Sequence, residues 1–317
     1  VFLTVLLATA AAAPAPPPRL VGEPVELATP TGILYGAIDL PPGAGPWPVV
    51  ILHAGSGPTD RDGNGPLTRS NNLRMLGRAL AARGVAVLRF DKRGIAASAK
   101  ALAREEDIRL DTYAADVLGW AAALRADRRF GRVGFVGHSE GALIGLVAAG
   151  EARFDAFVSL CGPGRPLQEV LREQLRRGLP AELYKASDAV IRELEAGREV
   201  KDTPKELQAL FRPSVQPYLI STFRRDPAAL AAGLKAPLLV ASGSTDIQVS
   251  EADARRLVAA RPGARAAAVA GMNHVLKPVP TVDRLAQLPS YADPTLPLHP
   301  DLLPALDEFL RRELGPR

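Results

Sequence analysis

The segment Gly137-His138-Ser139-Glu140-Gly141 restricts the fold of this chain more than any other. It stands between two apolar runs, Val133–Val136 before it and Ala142–Ala149 after it. That order reads as a strand, a sharp turn and a helix. Glycines on either side of Ser139 let the crossing backbones approach closely, at a turn that forces the serine into strained φ/ψ values. At such an elbow the hydroxyl projects above the strand ends, and the new helix directs its positive dipole end at developing negative charge. A serine hydroxyl is a weak nucleophile at neutral pH, so a base and an acid must be supplied from elsewhere in the chain.

The flanking sequence has the rhythm of alternating strands and helices. Val25–Leu27 and Ile33–Asp39 read as a leading pair of short strands. Val49–His53, between Pro48 and Gly55, has the composition of a buried parallel strand. Val85–Phe90, Ala156–Leu160, Leu238–Ser242 and the Ala-rich Ala266–Val269 extend the series. Between them, Leu73, Leu76 and Leu80 mark one helix that Gly84 stops, and Val117, Trp120 and Leu124 mark another over Asp111–Ala126 with Asp111 as N-cap. Leu302, Leu306, Phe309 and Leu310 mark the last helix. About eight strands separated by such helices predict a doubly wound, mostly parallel sheet with helices on both faces. From 162 to 235 no strand pattern occurs, only charged amphipathic stretches broken by Pro180, Pro204, Pro213, Pro217 and Pro227. That is too long for a structureless loop, so it is read as a helical cap inserted between a first core part, 22–161, and a second, 236–317.

Composition narrows the function classes. Hydrophobic residues at 47% and charged residues at 23% exclude a largely disordered chain. The net charge of +5 comes from scattered Arg and Lys with no long basic run, which argues against a nucleic-acid partner. Cys161 is the single cysteine, so no intrachain disulfide can form; with four histidines the chain is also poorly equipped for a structural zinc site. Cys161 itself reads as an inert core thiol. Val1 to Ala13 is apolar apart from two Thr, and Pro14, Pro16, Pro17 and Pro18 follow. This segment is shorter than the roughly 18 residues of a membrane span. Residues 1–21 therefore read as a secretory signal and Pro-rich linker, with a secreted or periplasmic product that has no stable membrane insertion after cleavage.

Of the four histidines, His274 in Gly271-Met272-Asn273-His274 follows the final strand and is the expected general base. His138 lies inside the elbow and is expected to point away from the reaction centre; His53 ends an early strand and His299 lies in a Pro-rich loop. Asp246, in Gly243-Ser244-Thr245-Asp246, falls between serine and histidine in the chain and is the expected acid, with Asp253 its competitor. Two backbone N–H groups must take the charge of a tetrahedral oxyanion. One is expected from Glu140, the other from the loop Gly55-Ser56-Gly57-Pro58, with Ser56 ahead of Gly55.

From about residue 25 to 314 these features resemble the α/β-hydrolase superfamily. The run Gly55-Ser56-Gly57-Pro58-Thr59-Asp60-Arg61-Asp62-Gly63 looks like a bacterial esterase group with a G-S-G-P-x-D-R-D segment, close to serine aminopeptidase-like hydrolases. Asp91-Lys92-Arg93-Gly94 is similar to the superfamily's D-x-R-G turn, which usually continues as G-x-G-x-S; here Ala96 replaces the second glycine. The resemblance implies hydrolysis of a small carboxylic ester of short or medium acyl chain through an acyl-enzyme, without cofactor or metal. Asp60, Arg61 and Asp62 read as a structural ion-pair knot. Two other readings stay open. An exopeptidase or amidase would need a cap acid for the substrate amine, and Glu169, Glu173, Glu182, Asp188, Glu193 and Glu195 are available, although interleaved with basic residues. A non-catalytic binding protein on this scaffold is the other. Leu183, Tyr184, Phe211, Tyr218 and Phe223 of the cap could line an acyl pocket or simply pack.

Overall fold

A computed structural model describes residues 22–315. The expected signal and linker, 1–21, lie outside the described residues. In chain order the strands are β1 (Glu23–Thr29), β2 (Gly32–Asp39), β3 (Trp47–His53), β4 (Asn64–Gly65), β5 (Thr68–Arg69), β6 (Ala86–Phe90), β7 (Phe130–His138), β8 (Phe157–Leu160), β9 (Leu238–Gly243) and β10 (Arg265–Val269). The helices are α1 (Asn72–Ala81), α2 (Leu110–Ala126), α3 (Glu140–Ala148), α4 (Leu167–Gly178), α5 (Ala181–Glu195), α6 (Gln208–Phe211), α7 (Gln216–Phe223), α8 (Pro227–Gly233), α9 (Glu251–Ala260), α10 (Arg284–Ala292) and α11 (Leu302–Leu314). Eight strands form one sheet in the order β1-β2-β6-β3-β7-β8-β9-β10. Pairing is antiparallel from β1 through β2 to β6 and parallel from there on. The fold is that of an α/β hydrolase. The short β4–β5 hairpin stands apart from this sheet and has no counterpart in the sequence reading.

The period-2 alternation of the central strands divides the interior in two. Val49 and Ile51 of β3, Val133 and Phe135 of β7, and Leu238 and Val240 of β9 face one core, packed by Trp120 of α2, Leu143 of α3, Ala231 of α8 and Leu257 of α9. Val50 and Leu52, Val136, and Leu239 and Ala241 face the other, packed by Leu73, Leu76 and Leu80 of α1 and by α11. A 13-residue helix such as α11 is marginal alone, but Leu302, Leu306, Phe309 and Leu310 are all buried. At about 1.5–3 kcal/mol for each such side chain, packing rather than propensity holds it in place.

Two expectations need correction. Asp111 is not the N-cap of α2: Arg109 occupies that position, and Asp111 lies in the first turn, where its carboxylate meets Arg225 at 2.6 Å. The stretch between β8 and β9 is helical, but its last member, α8, packs on α3 and α9 as part of the layer that covers the sheet. Within that stretch, α4 to α7 depart from the strand–helix alternation. Among the described residues no helix is long and apolar enough to cross a membrane.

Candidate active site

The elbow is built by exclusion. Ser139 sits between β7 and α3 with φ 55 and ψ −128, a conformation that costs a non-glycine residue of order 1–3 kcal/mol. A Cβ at Gly137 would lie 2.4 Å from Ala142 Cα, and one at Gly141 would lie 2.6 Å from the carbonyl oxygens of His53 and Ala54. Both glycines are therefore required by contact with neighbouring backbone. The serine N–H donates to Leu160 O at 2.9 Å and its carbonyl accepts from Ala142 N–H at 2.9 Å, so β8 and the first turn of α3 hold the strained residue from both sides.

His274 lies on the loop after β10, with Nδ1 2.7 Å from Asp246 Oδ2. Asp246 Oδ1 accepts the N–H groups of Gln248 at 2.8 Å and Val249 at 3.0 Å, which fixes the buried carboxylate in the turn after β9. With Nδ1–H donating to that carboxylate, Nε2 carries the lone pair, as a base requires. Asp253 is committed elsewhere. It accepts from Gly164 N–H at 3.1 Å, Arg165 N–H at 3.0 Å and the Arg165 guanidinium at 2.7 Å. Burial pushes its carboxyl up, but these Arg165 and backbone bonds outweigh it and hold the group below its usual range.

Among the remaining histidines, His138 lines the cavity that Ser139 and His274 border, while His53 and His299 bond backbone groups elsewhere. The expectation for His138 is corrected: its ring packs on that of His274, centroids 4.9 Å apart, and its Nε2 lies 2.8 Å from His274 O, within hydrogen-bond reach. Burial, then the neighbouring His274, lowers its pKa to about 3. Burial and the charge of Lys92 do the same to His53, whose Nδ1 meets Ala54 O at 2.8 Å. His299 Nδ1 accepts from Asp301 N–H at 3.3 Å.

Ser139 and His274 line one cavity of about 150 Å³ together with Gly55 and Ser56. Its walls are polar: Thr59, Thr68, Asn72, Gln248 and Tyr291, with Val275 the aliphatic side chain among them. The cap aromatics do not reach it. Phe211, Tyr218 and Phe223 are buried in the core, and Tyr184 is held by the Arg176 guanidinium at 3.0 Å. None of the cap acids lines it either. Glu173 pairs with Arg165, Asp188 and Glu195 with Arg172, and Glu193 with Arg198.

Gly55 abuts the nucleophile, since a Cβ there would lie 3.0 Å from Ser139 Cβ. Behind its loop lies Lys92, buried, whose Nζ donates to Gly57 O at 2.8 Å and also to Gly55 O. Burial lowers this lysine to about 8, opposed by the Glu140 carboxylate. The Glu140 side chain is buried too, and burial pushes its carboxyl up against the opposing pull of Lys92. Glu140 opens α3, so its N–H has no partner within the helix. Neither the Lys92 side chain, the Glu140 side chain nor the polar wall was anticipated. The available signal for Lys92 was a cation just past the carboxyl end of a parallel strand, where sites of such sheets lie.

The segment before the hairpin is an ion-pair knot in part. Arg61 meets Asp91 at 3.0 Å, and Asp62 bonds Arg89, which also holds Asp39 at 2.8 Å. Asp60 instead accepts the N–H groups of Asp62 and Asn64 at 2.8 Å and shapes the turn. Ala96, at the place of a family glycine, keeps the left-handed conformation with φ 45. Cys161, Asp246 and His274 bring one potential metal-ligand atom each within 4.8 Å. In this structure His274 Nδ1 is engaged by Asp246, and burial followed by Asp246 pushes the Cys161 thiol well up.

A model described as "Alpha/beta hydrolase family" matches residues 49–288. Esterase EstD of Thermotoga maritima is 30% identical over 233 residues, covering 69% of this chain and 52% of that esterase, so the chain spans about half the length of this relative. Among solved structures, Est1E from Butyrivibrio proteoclasticus with ferulic acid bound superimposes with a TM-score of 0.61 at 15% identity, over 92% of this chain and 100% of that one. The Pyrococcus furiosus esterase Pf2001 does so with a TM-score of 0.58 at 17% identity, over 93% and 94%. At these identities the structural likeness carries the fold alone.

Proposed function

The chain belongs to the alpha/beta hydrolase family, and from that premise we propose that it is a serine esterase for short-acyl carboxylic esters. In this reading Ser139 Oγ attacks the ester carbonyl while His274 Nε2 takes its proton, and Asp246 stabilises the imidazolium. The N–H groups of Ser56 and Glu140 receive the oxyanion. His274 then returns the proton to the departing alkoxide, and a water deprotonated by the same histidine releases the acid from Ser139. The observation that carries the reading is the 2.7 Å bond of His274 to Asp246 beside the cavity that Ser139 and His274 share. The likeness to Esterase EstD supports an ester as substrate.

Cavity size supports the short end of the acyl range. About 150 Å³ is the space that admits one benzene-sized group, and the polar wall offers a long alkyl chain little apolar surface to bury. The peptidase reading loses its support, because none of the cap acids it needs lines the cavity and four of them are ion-paired elsewhere. Hydrolysis of p-nitrophenyl acetate, butyrate and laurate, beside aminoacyl p-nitroanilides, tests the proposal. Acetate is expected to exceed butyrate, laurate and the anilides to give little, and Ser139→Ala to lose at least about a thousandfold. A Ser139→Ala protein that keeps the parent rate would overturn it.

A further inference from the structure

The loop that carries Ser56 has a problem of its own. Gly55 and Gly57 flank it, Gly57 with φ 69, and glycines give a loop freedom that must be removed if an N–H is to be aimed. Two hydrogen bonds from one side chain remove it: Lys92 Nζ donates to both Gly55 O and Gly57 O. In a trans peptide the carbonyl of one residue and the N–H of the next point in opposite directions. Gly55 and Ser56 line the cavity and Lys92 does not. The Gly55–Ser56 peptide thus turns its oxygen towards the buried ammonium and its N–H to the opposite side. The next anchored carbonyl precedes Pro58, which has no N–H, so the second bond fixes the loop without aiming another donor.

We propose that Lys92 is a positioning residue for the oxyanion site, holding the Gly55–Ser56 peptide so that Ser56 N–H faces the reacting carbonyl oxygen. The inference rests on the esterase reading and adds a part to it. A buried ammonium is costly unless it is hydrogen-bonded and balanced. Its two carbonyl partners and the opposing Glu140 carboxylate offset part of that cost. In this reading the backbone N–H of Glu140 is the other oxyanion donor, and the Lys92 ammonium orients the loop that carries the first.

Lys92→Met alone would strand the Glu140 carboxylate, so the test compares Lys92→Met/Glu140→Gln with Glu140→Gln. Both are assayed with p-nitrophenyl acetate and with a phenyl trifluoromethyl ketone, whose carbonyl adds a serine oxygen to give a hemiketal oxyanion. Loss of one aimed donor predicts a kcat about a hundredfold below Glu140→Gln, KM within about threefold, and a ketone Ki raised by about the same hundredfold. A merely structural lysine would lower the folded fraction and leave Ki unchanged. A kcat within about threefold of Glu140→Gln, or a loss of kcat without the rise in Ki, would refute the assignment. If the parent protein shows no Ser139-dependent turnover, the esterase reading falls and this inference with it.

Discussion

Two aspartates seven residues apart, Asp246 and Asp253, are predicted to fail in opposite ways when each is changed to asparagine. In Asp246→Asn the Oδ1 position still accepts from Gln248 and Val249 N–H, so the turn after β9 survives. The new NH₂ replaces the oxygen 2.7 Å from His274 Nδ1 and can only donate. The imidazole must then accept at Nδ1 and carry its proton on Nε2, the wrong tautomer for taking a proton from Ser139. A fall of about 10⁴ in kcat is expected, with little change in stability. Asp253→Asn instead places a donor against the Arg165 guanidinium, which bonds the carboxylate at 2.7 and 3.0 Å. Removing one partner of a fully buried pair costs about 3–5 kcal/mol. Here the Arg165 side chain is 23% exposed and keeps Glu173 at 2.7 Å, which reduces the expected loss to about 1–3 kcal/mol. That corresponds to a Tm lower by roughly 2–6 °C for a chain of this size. Initial rates on p-nitrophenyl acetate at 20 °C, with thermal unfolding followed by circular dichroism, separate the cases. An Asp246→Asn protein with more than about a tenth of parent kcat, or an Asp253→Asn protein inactive while folded, would refute the assignment of roles.

Two further outcomes follow from backbone and burial. Ala96→Gly relieves a left-handed alanine worth about 1–2 kcal/mol and gives back about 0.4–1 kcal/mol in unfolded-chain entropy, so a net gain of about 0.5–1 kcal/mol is expected in urea unfolding; a loss would refute the strain argument. His53 and His138 are both held neutral with pKa near 3, below the unfolded value of about 6.5, so the unfolded chain takes protons first on acidification. Stability present above about pH 6.5 is then lost towards pH 3, at up to about 1.4 kcal/mol per pH unit for each histidine. Urea midpoints at pH 7.5 and 5.0 measure this, and His138→Gln, which keeps a donor for His274 O, should make the pH dependence shallower; an unchanged dependence would rule out His138 as a source.

What the sequence discloses is what the chain fixes locally. The elbow was legible because its glycines answer to their own strand and helix: β7 and α3 meet within five residues, and any Cβ at Gly137 or Gly141 strikes backbone. The inner strands were legible because burial on both faces leaves apolar runs such as Val49–Leu52 and Leu238–Ala241, whereas β1 and the Ala-rich β10 lie at the sheet edges and alternate in exposure. Asp246 and His274 could be placed at the ends of β9 and β10, but their 2.7 Å contact is a product of strand order, which puts those two strands side by side. The polar cavity wall was not legible. Thr68 comes from a two-residue strand, Tyr291 from a helix with an internal proline, and Gln248 from a turn, and no periodicity links them. Lys92 shows the limit most sharply. Its motif was visible, yet a lysine in a turn ordinarily reaches into water; only the tertiary placement of the glycine loop, whose Gly55 abuts His138 and Ser139, converts that reach into two hydrogen bonds. The residues hardest to find from sequence are thus those whose partners are carbonyl oxygens, since every residue carries one and none announces which side chain it will receive.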